Sequence, residues 1–261
     1  MNTYENILLE EKRGVAVLTL NKPENRNPLT EETKTEMIAA LEAVHASEQM
    51  RALVITGQGT AFCAGGDVKK IGKELTPEEI KEVMHKSQQL LRRLINLGKP
   101  IIAAVNGDAF GMGCNLALAA DFAIASERAK FCQVFVKLGL TPDFGALYLM
   151  PRLIGLWKSR ELAFLGNVVE AEEAAKIGLV YKVVPHGELE KEAMDLADRL
   201  ARMPTLAIGI AKQVLNRSYD MTLDEVLEKE IETQIYLTRT HDHREGVRAL
   251  MEKRKPKFQG K

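Results

Sequence analysis

No sign of charge prevails in this sequence: Lys plus Arg and Asp plus Glu number 36 each, so the formal net charge is zero. Without a basic excess there is no general attraction for nucleic acid, whose binding proteins carry clustered positive charge. Long apolar runs are also missing. The best candidate, Pro100–Val105, has the length of a strand and falls far short of a bilayer span. The opening residues Met1-Asn2-Thr3-Tyr4-Glu5-Asn6 show no basic segment ahead of an apolar stretch. The expectation is a cytoplasmic protein with no secretory signal and no membrane partner. Cysteine is scarce as well: Cys63, Cys114 and Cys132 are odd in number and not in metal-ligand spacing, which points to reduced thiols.

What is present is a well-mixed globular composition, 46% hydrophobic and 28% charged, over a length that fits one large domain or a core with an appendage. Gly14–Leu20, Ala52–Thr56 and Ile101–Val105 are short and apolar throughout, as strands covered on both faces are, and Phe122–Ala125 reads as a fourth strand. Helical spacing follows: Thr33, Met37, Leu41 and Val44 mark a helix over 30–45 with Thr30 as its N-cap and Glu31 and Glu32 in its first turn. Further helices are expected over 77–97, with Pro77 at its start, and over 114–120. Alternating strands and helices indicate an α/β fold. After a last strand over 180–184 the pattern turns helical, with a long amphipathic stretch at 223–238. The expected division is therefore a core over 1–200 and a helical region over 201–261.

Two glycine-bearing loops follow buried strands: Ala61-Phe62-Cys63-Ala64-Gly65-Gly66-Asp67 and Gly107-Asp108-Ala109-Phe110-Gly111-Met112-Gly113. Both read equally as plain strand-to-helix turns or as a pair presenting backbone N–H groups to one oxygen. Neither carries a phosphate-binding or dinucleotide signature. In a third segment, Lys137–Gly145, Asp143 follows Pro142 inside an apolar stretch. It is either a turn former or a carboxylate whose surroundings raise its pKa into the range a general base needs. His241-Asp242-His243 lacks a third ligand at recognisable spacing, so no metal is expected. Trp157, the one tryptophan, is expected to pack, and Ser126 and Ser159 lack a nucleophile-elbow context.

Taken in order, AFCAGGD (61–67), the run from Lys99 to Asp121, the run from Ala129 to Gly155, and the tail with Arg244-Glu245-Gly246 and Lys253–Phe258 resemble the crotonase (enoyl-CoA hydratase/isomerase) superfamily over nearly the whole chain. The resemblance implies a spiral of ββα units with a C-terminal helical region that mediates trimers or dimers of trimers. It implies an acyl-CoA thioester as substrate, with coenzyme A part of that substrate and no separate cofactor. The backbone N–H groups of Cys63 and Met112 correspond to the family's oxyanion hole. Lys22, Arg26, Ala61, Ala64, Gly65, Gly66, Asp67 and Gly111 correspond to the path of the CoA moiety and substrate, with Asn115 and Phe135 beside the acyl group. Lys257 and Phe258 are lesser candidates.

Departures from the family pattern narrow the expected chemistry. Hydratases of this family carry two glutamates that handle water, and those positions correspond here to Asn115 and Phe135. Asp143 stands where several isomerases keep their acid. The resemblance is nearest to the branch that isomerises ring-1,2-epoxyphenylacetyl-CoA and moves Δ3 double bonds to Δ2. In this reading Asp143 is a proton shuttle, and Asn115 either orients substrate or caps the short helix. Alternatives are a weak hydratase, an aryl-CoA dehalogenase in which Asp143 attacks as a nucleophile, and a non-catalytic CoA- or RNA-binding member for which Lys69-Lys70 is the slender cue.

Overall fold

The computed structural model describes residues 4–67 and 74–261; Lys69-Lys70 lies outside the described residues. Ten strands among them form two sheets. The larger holds β1 (Ile7–Lys12), β2 (Val15–Leu20), β3 (Ala52–Gly57), β5 (Ile101–Val105), β7 (Phe122–Ser126) and β10 (Lys182–Val184) in the order β1-β2-β3-β5-β7-β10. Only the β1–β2 hairpin is antiparallel; every other neighbour in this sheet is parallel. The smaller sheet, β4-β6-β8-β9, is built from the three-residue strands β4 (Ala61–Cys63), β6 (Asp108–Phe110), β8 (Lys130–Cys132) and β9 (Val168–Glu170). The successive pairs β3–β4, β5–β6 and β7–β8 each lay one strand in each sheet, the ββα spiral expected, while β1 and β2 both lie in the larger sheet.

The strands of the larger sheet are apolar throughout because both faces are covered. On one face Ala16, Leu18, Leu53, Ile55, Ile101 and Ala103 meet Met37 and Leu41 of α1 (Glu31–Ala46) and Leu90 and Leu94 of α2 (Pro77–Ile95). On the other, Val54, Ile102, Ala104 and Ile124 meet Leu189, Ala193, Ala197 and Ala201, one stripe of the later helix Leu189–Ala201. Thr30 caps α1 as expected, its side chain accepting from the Thr33 N–H, and Thr76 forms a reciprocal capping box with Glu79 at the start of α2. The expected loops over 57–67 and 108–113 contain β4 and β6. Three residues show no alternation, so a strand this short leaves no periodic signal.

The remaining helices are α3 (Met112–Leu118), α4 (Ala146–Leu165, interrupted at Gly155), α5 (Ala171–Lys176), α6 (Leu189–Ala201), α7 (Thr205–Arg217), α8 (Leu223–Leu237) and α9 (His241–Met251). Trp157, expected to pack, is 81% exposed on α4, with the Arg160 guanidinium 5.3 Å from its ring centre. It has no place in the core of its own chain because it lies on the outward side of α4. α8 likewise buries no residue within its own chain.

Two ties join these last helices to the core. Lys212 of α7, 6% exposed, donates to Asp121 Oδ2 at 2.9 Å, and Asp121 Oδ2 also accepts the Ile101 N–H at 2.7 Å. Residues 254–260 fold back over α9, where Glu245 accepts from Arg254 and from the Lys257 N–H, and Asp242 accepts the N–H groups of Gln259 and Gly260. Arg51, ahead of β3, closes the circuit by donating to the carbonyls of Phe258 at 2.8 Å and Met203 at 2.6 Å. Lys212→Met leaves Asp121 a partly buried carboxylate without its cation. It should cost about 3 kcal/mol of stability, read as a lower denaturant midpoint with an unchanged slope.

Candidate active site

Cys63 closes β4 and Met112 opens α3, and the pairing of β4 with β6 sets them side by side: Cys63 is in register with Ala109, and Ala61 with Asp108. The chains then approach more closely than side chains allow. A Cβ on Gly113 would lie 2.0 Å from the Cys63 carbonyl oxygen, and one on Gly65 would lie 2.7 Å from that of Phe110. Gly111 turns the chain at φ 53 and ψ −121, donating its N–H to Cys132 O at 2.8 Å, so that α3 starts at Met112. The N–H of a helix's first residue has no acceptor within the helix. The Phe135 ring, only 8% exposed, packs beside Gly111.

The loop over 22–29 docks on this frame. Ala64 N–H donates to Arg26 O at 2.9 Å, Leu29 N–H donates to Gly65 O at 2.8 Å, and Leu29 bridges to Gly66. Buried Asn27, at φ 56, ties the loop inward by donating to the Gln58 and Ala61 carbonyls and accepting the Lys22 N–H. Lys22, Arg26, Ala61, Ala64, Gly65, Gly66 and Asp67 therefore lie along two segments bonded to one another. The Arg26 guanidinium pairs with Asp108 of β6.

Asp143 reaches the site from a strained turn. Phe144 at φ 48 and Gly145 at φ 75 are both left-handed, and they swing the chain into α4, whose Ala146 N–H donates to Asp143 O at 3.0 Å. For a phenylalanine this conformation costs on the order of 1–2 kcal/mol. Such strain gathers where function over-determines geometry. The same carbonyl accepts Asn115 Nδ2 at 3.0 Å, and Asn115 Oδ1 accepts Gln133 Nε2 at 2.7 Å. Asn115 thus does not cap α3, whose N-cap is Gly111. It is fully buried, and its amide bonds to the protein on both sides.

The Asp143 carboxyl is half-buried, and its Oδ1 is buried with no hydrogen-bond partner among the described residues. Burial pushes its pKa up to about 6, opposed by the Lys34 ammonium and by a bond from its own backbone. The thiols of Cys63 and Cys114 are pushed up to about 12 by burial, so neither is a thiolate at neutral pH. His241 Nδ1 meets Asp242 at 3.2 Å, and the described residues hold no cluster of three metal-ligating side chains. A groove of about 860 Å3 between α1 and α2 is lined by Lys86 and its neighbours and does not include Asp143.

Sequence reasoning passed over Asn27, Gln133 and Lys34. Lys34 had a readable signal: it stands three residues before Met37 and seven before Leu41, on the face of α1 that is buried.

Backbone N–H groups and a partly buried carboxyl are the kinds of group that enolate chemistry on an activated carbonyl uses. The chain belongs to the enoyl-CoA hydratase/isomerase family, whose model matches residues 10–261. Among its relatives, the 1,2-epoxyphenylacetyl-CoA isomerase of Escherichia coli is 41% identical over 98% of this chain and 99% of its own length. The crotonyl-CoA hydratase of Syntrophomonas wolfei is 38% identical over 98% of each chain. The crystal structure of an enoyl-CoA hydratase/isomerase from Cupriavidus metallidurans superposes with a TM-score of 0.93 at 33% identity, covering 100% of this chain and 98% of that one.

Because the folded Asp143 pKa lies above its ordinary 3.8, the native state binds that proton more tightly than the unfolded chain. Its contribution is therefore most favourable below about pH 4 and is lost as pH rises through 6. Asp143→Asn removes the penalty. It should raise the melting temperature by a few degrees at pH 7.5 and leave it unchanged near pH 4. A lower melting temperature at pH 7.5 would show that the carboxylate is stabilised where it sits.

Proposed function

We propose that this protein is an acyl-CoA isomerase that moves a double bond from Δ3 to Δ2, or rearranges ring-1,2-epoxyphenylacetyl-CoA, through a thioester enolate. The observation that carries the reading is the single carboxylate. Asp143 is half-buried with its pKa raised to about 6, while on the sequence resemblance Asn115 and Phe135 correspond to the two acids of the family's hydratases. An amide whose two ends are bonded to Asp143 O and Gln133 cannot activate water, and neither can a phenyl ring.

The steps follow from the geometry. The N–H groups of Cys63 and Met112 donate to the thioester oxygen and stabilise negative charge as it develops there. Asp143, ionised, removes a proton from the carbon next to the thioester. The electrons move into the enolate and its conjugated double bond, and the acid returns the proton two carbons away. Atoms and charge balance without water or a separate cofactor. Phe135 and Phe144, both buried, keep the carboxylate poorly solvated, which brings its pKa close to working pH.

Lys22, Arg26, Ala64, Gly65, Gly66 and Asp67 would receive the CoA moiety, with Ala61 behind them and Gly111 under the acyl group. A CoA phosphate would compete with Asp108 for the Arg26 guanidinium. Exposed Leu227, Ile231 and Ile235, spaced by four along α8, support assembly of copies through the region 201–261 into a trimer or a dimer of trimers. The 41% identity to an isomerase also supports the reading, while the 38% identity to a hydratase keeps hydration as the rival.

The deciding experiment is turnover of 3-hexenoyl-CoA and of crotonyl-CoA by wild type and Asp143→Asn. Isomerisation should fall by about 10²–10⁴-fold in the variant, and crotonyl-CoA should be hydrated poorly by both. In the wild type, kcat/KM should decline as pH falls below about 6, where Asp143 gains its proton. Rapid hydration that survives Asp143→Asn would overturn the assignment.

A further inference from the structure

Asn115 and Gln133 bury two amide side chains beside the Asp143 turn, at 0% and 1% exposure. Asn115 Nδ2 donates to Asp143 O at 3.0 Å, and Asn115 Oδ1 accepts from Gln133 Nε2 at 2.7 Å. One carbonyl fixes both amides. Asp143 O can only accept, so Asn115 must turn its N–H groups towards it. The Asn115 oxygen then faces Gln133, which must present its own N–H groups. Gln133 Nε2 also lies 3.4 Å from Cys114 Sγ, and Gln133 Oε1 is left buried with no donor among the described residues. The bonds therefore run in one direction, from the segment after β8 through α3 to the main chain of Asp143.

Satisfying hydrogen bonds does not explain this pair. Asp143 O already accepts the Ala146 N–H at 3.0 Å, so it needs no second donor. Two apolar residues of the same shapes would bury about as well as the two amides, without an orphan oxygen. What Asn115 adds is a tie between two elements. It stands three residues after Met112 on α3, in a first turn closed by its own N–H donating to Gly111 O at 3.1 Å. Residues three apart share one helix face. The carbonyl that it holds belongs to the planar peptide joining Asp143 to Phe144, so the direction of that carbonyl sets where the Asp143 side chain leaves the backbone. The same peptide leads into the left-handed Phe144 and Gly145, a conformation that persists only where its surroundings hold it.

We propose that Asn115 is a positioning residue for the proton shuttle: by gripping the Asp143 carbonyl from α3, it sets the carboxylate at a fixed place relative to the Met112 N–H on the same helix. Gln133 supports it by fixing the direction of its amide. The inference rests on the isomerase reading for the meaning of that placement, though not for the grip itself. In that chemistry the proton leaves one carbon and returns two carbons away while the thioester oxygen stays on its donors. The reach of the acid then counts in the transition state more than in binding. Asn115 touches no substrate in this role, so its effect falls on turnover.

The test is steady-state turnover of 3-hexenoyl-CoA by Asn115→Leu and Gln133→Met, both close in shape to the native residue, with rates scaled to the folded fraction read by circular dichroism. In Asn115→Leu kcat should fall by about 10–100-fold, the effect of a displacement on the order of 1 Å, with KM within about twofold of wild type. Gln133→Met should move kcat in the same direction by less. A raised KM with kcat held would overturn the proposal by assigning Asn115 to substrate contact. An unmoved kcat would overturn it by assigning the pair to packing alone. Should Asn115→Leu fail to fold, Asn115→Ala also lacks the donor and carries the same expectation. A second readout needs no substrate: hydrogen–deuterium exchange over residues 143–149, followed by mass spectrometry. The Ala146 N–H, bonded to the same carbonyl, should exchange about three- to tenfold faster in Asn115→Leu. Unchanged exchange would overturn the grip. If wild type isomerises no enoyl-CoA while the exchange still quickens, the isomerase reading fails and the grip stands.

Discussion

Two backbones lie so close at the site that no side chain fits between them, and the rest of the chemistry depends on that approach. A Cβ at Gly107 would lie 1.9 Å from the Thr60 oxygen, and one at Gly113 would lie 2.0 Å from the Cys63 oxygen. The smaller sheet holds these contacts in place through the β4–β6 register. Spacing between the Cys63 and Met112 N–H groups is therefore a property of the sheet and of glycine, independent of the side chains those two residues carry. In the proposed enolate chemistry, donors fixed in this way would need little reorganisation.

Against that rigid frame stands a carboxylate in an uncomfortable position. Phe144 is left-handed, Asp143 Oδ1 is unpaired, and burial favours the protonated form. The surrounding amides make no attempt to relieve the carboxyl group: Asn115 bonds the Asp143 main chain, and Gln133 bonds Asn115. The arrangement holds the backbone of the loop firmly and leaves the carboxyl without a partner at Oδ1, which costs stability at the site and is supported by the packed core around it.

Much of the frame was legible because its signals are local. The Thr30 cap, the apolar spacing of α1 and the uniformly apolar β2, β3 and β5 each announce themselves within a few residues. β4, β6, β8 and β9 did not, since three residues carry no period, and their pairing is decided by neighbours far along the chain. Asp143 could be singled out by its apolar context, but whether it was a turn residue or an acid depended on burial that only the fold supplies. Asn115 was misjudged as a possible helix cap because its partner carbonyl lies 28 residues away. Lys34 was lost for a different reason: lysine on a helix reads as a solvated residue unless its phase against Met37 and Leu41 is checked. Trp157 erred the other way, since size argues for burial and its place on the outer side of α4 is set by the whole fold.

The Arg51 contact with Phe258 spans 207 residues of sequence. Closing a loop of that length costs chain entropy that contacts within one helix or hairpin do not. Asp242 and Glu245, which hold the same returning segment, accept from residues up to Gly260. Without that returning segment α9 would carry two buried carboxylates deprived of the N–H groups they accept in the folded chain.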